Sequence, residues 1–176
     1  MAKKKKNTVP EQLNLSSNVV LKILNGKSVV KTIKTHNIVM LNLMYGMLVA
    51  LSGSANKKYC PNYLAVGSGS TPSPSVTMEA LVQEIGLSRV KTTPNYKGMP
   101  KKGESSVSTI YQALIPYTNV GGLPIKEIGL FGTATEASLL ARIELKQQLN
   151  LLIGQSLMIE WSFSLENKPA TSAQSK

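Results

Sequence analysis

The stretch Gln155–Asn167 (QSLMIEWSFSLEN) alternates along its length. Leu157, Ile159, Trp161, Phe163 and Leu165 fall on one side of an extended chain. Ser156, Glu160, Ser162 and Ser164 fall on the other, and only Met158 breaks the order. A period of two is the period of a strand, so the stretch predicts an antiparallel strand with one buried and one wetter face. It carries the only Trp and one of the two Phe in the chain. The other strands must therefore supply the rest of the core that this one begins.

Such strands are legible upstream. Asn18–Thr35 reads as a hairpin: Val19, Leu21 and Ile23 alternate before Asn25–Gly26, a pair suited to the tight mirror-image turn. Short strands are expected at Asn62–Val66 and Ile85–Thr92, with Thr77–Glu84 unassigned between them. Ser105–Tyr117, Ile125–Phe131 and Ser138–Leu145 follow, separated by turns at Asn119–Gly122 and Gly132–Glu136. Thr93–Glu104, with two Pro, two Gly and three Lys, reads as an exposed loop, and Lys146–Gly154 as a connection. One segment differs in kind. Ile38–Leu51 is apolar nearly all round and predicts a helix buried on most sides, lying across a sheet or at a subunit contact. Asn37 is placed to cap it, and Met40, Met44 and Met47 read as gap-filling core. The fold class expected is mainly β: an antiparallel β-sandwich of seven or eight strands with one buried α-helix near the N-terminus and flexible terminal arms.

A hydrophobic fraction of 42% in 176 residues suits one core, so a single β-sandwich domain is expected over residues 18–166. Residues 1–17 read as a basic N-terminal arm and 167–176 as a polar C-terminal tail. The charge is unevenly placed. Residues 1–78 hold ten Lys against one Glu, a net +9 of the chain's +11. A basic half suits an acidic partner, either an anionic protein surface or nucleic acid. The candidate docking residues are Lys3, Lys4, Lys5 and Lys6 in the arm, and Lys22, Lys31 and Lys34 expected to point outward from the hairpin. Lys3–Lys6 runs into polar Asn7–Gln12, so no secretory leader is expected. Ile38–Leu51, interrupted by Asn42 and Gly46, is too short to span a bilayer, and no membrane partner is expected.

Catalytic constellations find few residues to build them. There is one His (His36), one Cys (Cys60) and no Asp. The common zinc sets cannot be assembled within one chain, and a Ser-His-Asp triad lacks its acid. His36 falls between a strand and the helix, away from any G-x-S-x-G motif. Cys60 reads as a small buried hydrophobe. The glycine-rich Gly67–Pro74 lacks the phosphate-loop spacing and its Lys-Ser/Thr pair. Lys126/Glu127 and Arg142/Glu144 alternate along strands and read as surface charge pairs. The expectation is no enzyme, no cofactor, no metal and no small-molecule substrate. Non-specific DNA contact is the alternative from another class: the basic half supplies the electrostatic attraction, but no zinc finger, ribonucleoprotein motif or basic recognition helix supplies a reader.

The ordered set LAVGSGSTPSP (Leu64–Pro74), TMEALVQEI (Thr77–Ile85), IKEIGLFG (Ile125–Gly132), SLLARIEL (Ser138–Leu145) and SLMIEWSFSL (Ser156–Leu165) resembles small structural proteins of tailed bacteriophages. The hairpin, the Thr35-His36-Asn37 turn and the apolar helix extend the resemblance to residues 18–166. It implies a virion protein, made in the host cytoplasm, that assembles as a homo-oligomer in closed rings or fibres without catalysis. The expectation drawn from it is a ring or adaptor subunit of the neck or tail that docks portal, tail or capsid proteins through the lysines named above. A capsid decoration or head-fibre protein is the alternative within that class.

Overall fold

The computed structural model describes residues 11–54, 56–71, 75–86, 89–96 and 106–169. Lys3–Lys6 and the end of the polar tail, 170–176, lie outside the described residues. Ten strands occur among those described: β1 Glu11–Asn25, β2 Ser28–His36, β3 Ile38–Val39, β4 Tyr63–Gly67, β5 Val90–Lys91, β6 Thr93–Tyr96, β7 Ser106–Pro116, β8 Ile125–Phe131, β9 Leu139–Leu149 and β10 Gln155–Pro169. They form two antiparallel sheets, ordered β2-β1-β10-β7-β6 and β3-β9-β8-β4-β5.

The alternating stretch is β10, the central strand of the first sheet. It pairs with β1 over the full length of both strands, from Glu11 opposite Pro169 to Asn25 opposite Gln155. On its other side Leu157 lies opposite Ile115, and Trp161 opposite Tyr111. Residues directly opposite share a face. The inner face therefore gathers Ile23, Leu21 and Val19 beside Leu157, Ile159 and Trp161, with Ile115 and Ala113 on the far side. Leu64, Val66, Ile128, Leu130 and Ile143 of the second sheet join them in one core. Each large side chain removed from water there contributes roughly 1.5–3 kcal/mol. This is the expected mainly β sandwich.

Several boundaries move. Residues 11–17, read from the sequence as part of the arm, are the opening of β1, and β10 runs to Pro169, past the expected start of the tail at 167. Ser and Asn there suggest loop, but a long partner strand overrides weak local preference. The hairpin turn falls one residue later than Asn25–Gly26: Asn25 pairs with Ser28, and Gly26 takes φ +60°, the left-handed value mirror-image turns demand. Among the described residues of the expected Ile85–Thr92 strand only Val90–Lys91 is regular, and part of the expected loop, Thr93–Tyr96, is β6. β9 continues four residues beyond Leu145 to Leu149.

The chain changes sheets through single residues at both edges. Asn37 joins β2 of the first sheet to β3 of the second, and Thr92 joins β5 to β6. Asn37 does not cap the helix. Its side-chain amide is buried without a hydrogen-bond partner, and the residue before the helix is Met40, which makes no side-chain cap. The helix, α1, spans Leu41–Leu51. A one-turn helix, α2 (Tyr117–Val120), links β7 to β8.

The expectation that α1 is buried on most sides does not hold. Leu43 alone is buried. Met40 is fully enclosed just ahead of the helix, whereas Met44 is exposed. The helix sits at the Leu139 end of β9, where Met40 N donates to Leu140 O at 2.9 Å and Asn42 Nδ2 to Leu139 O at 3.2 Å. The helix also meets the turn Lys57–Tyr59, where the Tyr45 and Tyr59 rings pack edge to face at 4.9 Å, and the rest of its outer side is left in solvent.

Candidate functional site

The three hairpin lysines do not share a face. Lys22 lies opposite Thr32, and Lys34 opposite Val20, so both project from the outer face of the first sheet. Lys31 lies opposite Ile23, a core residue, and so belongs to the inner side. It remains exposed because β2 is an edge strand with nothing paired beyond it among the described residues. Lys22 is engaged already: its Nζ donates to Glu160 Oε1 at 2.7 Å, and Gln112 Nε2 donates to the same oxygen at 3.2 Å. Lys31 and Lys34 have no ion-pair partner among the described residues.

A groove of about 530 Å³ runs between β2 and β9. Lys31, Ile33, Lys34, Thr35 and His36 line it from one sheet, and Glu144–Gln147 with Leu149 from the other. It exists because β3 covers the edge of β9 only at Ala141 and Arg142. Beyond Arg142 no strand among the described residues lies beside that edge. His36, considered in sequence as a catalytic residue and set aside, is the exposed last residue of β2 at this groove.

Apolar residues are exposed at both ends of the sandwich. On α1, Leu41, Met44, Tyr45, Leu48 and Leu51 recur at helical spacing along one solvent-facing stripe, with Leu48 66% and Leu51 84% accessible. The helix has no charged residue. The register puts the β1–β2 turn, the α2–β8 connection and the β9–β10 connection together at the opposite end, because Asn25 pairs with Gln155 and Ile125 with Leu149. That end exposes Leu123, Leu152 and Ile153, the last at 85%.

The carboxylates are not where the alternation suggested. Glu127 and Arg142, read as surface charges, are both buried, and Arg142 Nε donates to Glu127 Oε2 at 2.9 Å. Val82 N and Gln83 N also donate to the Glu127 carboxylate, at 3.1 and 2.8 Å. Arg142 Nη1 donates to Glu144 Oε2 at 3.2 Å, and Arg142 Nη2 is buried without a partner. The cover is the segment 75–86, a strap tied to the second sheet by Ser68 N to Gln83 O, Ile85 N to Val66 O and Leu139 N to Glu79 O. Leu81 seals it in a small second cluster with Met40, Ala65, Phe131 and Leu139. Gly67 makes the close approach possible: a Cβ there would stand 2.6 Å from Glu127 Oε1 and 2.7 Å from Gln83 O. The glycine that opens the Gly-Ser-Gly run thus admits a strap. No sequence signal separated Glu127 from the exposed acids, since alternation marks faces and says nothing of a strap laid over one.

Arg89 closes the strap's far end, donating to both oxygens of Glu84 at 2.7 and 2.8 Å and stacking 3.9 Å above the Phe131 ring. Cys60 is half-buried rather than enclosed, with Sγ 3.6 Å from Asn56 O. Among the described residues no three or more His, Cys, Asp or Glu side chains gather as metal ligands, and no helix is long and apolar enough to cross a membrane. No protein-family description, curated protein or solved structure matches the chain.

Proposed function

We propose that this protein is a non-enzymatic structural component of a tailed-phage virion, a ring or adaptor subunit of the neck or tail that assembles with copies of itself and docks neighbouring virion proteins. The apolar stripe of α1 carries the reading. A helix without charge, leaving five large apolar residues in water, is costly for a monomer and suited to burial between copies. The second apolar end, Leu123 with Leu152 and Ile153, supports contact between unlike ends, a geometry that closes into rings or extends into fibres. Lys31 and Lys34, free of ion pairs among the described residues, support docking to an acidic neighbour.

Imaging of assembled particles tests the placement. Density for this chain as a closed ring between head and tail is the expected result. Many copies spread over tailless heads would replace the reading with capsid decoration, and absence from particles would overturn it. Removing residues 1–10, and with them Lys3–Lys6, is expected to reduce incorporation; unchanged incorporation would remove the arm from the docking surface.

A further inference from the structure

The groove between β2 and β9 combines two open strand edges with a basic rim. Among the described residues β2 pairs with β1 on one side only, and beyond its bulge at Val30 it offers the regular run Lys31–His36. Unpaired N–H and C=O groups along such an edge are a template for another strand. Across the groove β9 is irregular between Glu144 and Leu149, so β2 is the better template. Ile33, Leu145 and Leu149 supply apolar lining, and Lys31, Lys34 and Lys146 supply charge. The single carboxylate there, Glu144, is held by Arg142.

We propose that an extended acidic segment of a partner protein adds to the free edge of β2 as a further strand of the first sheet. This deepens the docking part of the proposed function and rests on it for the partner being another virion protein. Backbone hydrogen bonds to β2 give the segment its register, and side chains of alternate residues give it selectivity. The residue opposite Lys31 is acidic, the next on that face is apolar and meets Ile33, and one opposite Lys34 on the outer face is acidic. The chain's own ends do not suit the groove: Lys3–Lys6 repeats its charge, and residues 170–176 hold no acid. Duplex DNA fits it poorly, because a phosphate backbone makes no use of a strand edge and meets Glu144 within the groove.

The test uses the full chain and a fluorescent seven-residue peptide, followed by anisotropy. The peptide has Glu at its second and fifth positions, Val at its third and Thr elsewhere, so that antiparallel addition sets the two Glu opposite Lys34 and Lys31 and the Val opposite Ile33. Saturable binding is expected, weakened about tenfold or more in K31E/K34E, whose exposed positions leave the circular dichroism unchanged. Methylating the peptide's amide nitrogens along one edge is expected to weaken binding comparably, and hydrogen exchange at residues 31–36 slows only with the unmethylated peptide. Equal binding of the methylated peptide would overturn strand addition. Displacement of the peptide by a DNA duplex at equal or lower concentration would assign the face to nucleic acid. Absence of saturable binding would also overturn the proposal, leaving the lysines as guards against edge pairing. None of these outcomes alters the self-association read at α1 or the particle imaging, so the two readings fail separately.

Discussion

Arg142 Nε donates to Glu127 Oε2 at 2.9 Å across β9 and β8, with 1% of the arginine side chain and none of the glutamate accessible. The same carboxylate receives two backbone amides of the strap. One side chain thus neutralises a buried cation and pins a segment that has little regular structure of its own.

Removing Arg142 leaves the Glu127 carboxylate buried without a counterion, and removing Glu127 leaves the buried guanidinium with only the partly exposed Glu144. Arg142→Ala and Glu127→Ala are each expected to lower unfolding free energy by about 3–5 kcal/mol in urea titrations. The double variant Glu127→Leu/Arg142→Met is expected to cost less than the two single losses together, because no lone charge remains inside.

Gly67→Ala places a methyl group against Glu127 and the Gln83 carbonyl. It is expected to cost about 1–3 kcal/mol. Amide exchange should accelerate first at Val82 and Gln83, whose N–H groups depend on the Glu127 carboxylate.

Trp161 Nε1 donates to Ser17 Oγ at 3.0 Å, and Ser17 Oγ donates in turn to Ser162 O at 3.1 Å. Ser17→Ala leaves a buried indole N–H without its acceptor. A loss of about 1–3 kcal/mol is expected by chemical denaturation, although the residue falls in what the sequence presented as an arm.

Leu48→Lys and Leu51→Lys change residues that contribute little to the monomer's core. Unfolding free energy is expected to shift by no more than about 0.5 kcal/mol. Velocity sedimentation should show the assembly reduced to smaller species, because a charge would have to be buried at each contact. An unchanged distribution would remove α1 from the interface.

Much of the scaffold was legible because the strands alternate cleanly. The inward set of β10, the hairpin around Gly26 and the bounds of β8 follow from period two and turn chemistry. The candidate surfaces were legible only in part. Lys31 and Lys34 are three positions apart, so they cannot share a face of a regular strand. Reading them as one outward set overlooked that parity, and their part in the groove needed the neighbouring sheet. Burial of Glu127 and exposure of Leu48 both ran against local pattern. Each depends on what the chain lays over the element: the strap covers Glu127, whereas Leu48 is left largely in solvent.

By itself the sequence determined that this chain would be a mainly β protein with a long central ribbon and a charge-free helix, because face alternation is a local property of each strand. Tertiary structure alone decided which charges went inside, where the two sheets left a groove, and which side of the helix stayed wet. Those outcomes turn on contacts between segments far apart in the chain, and no local window of residues holds both halves of such a contact.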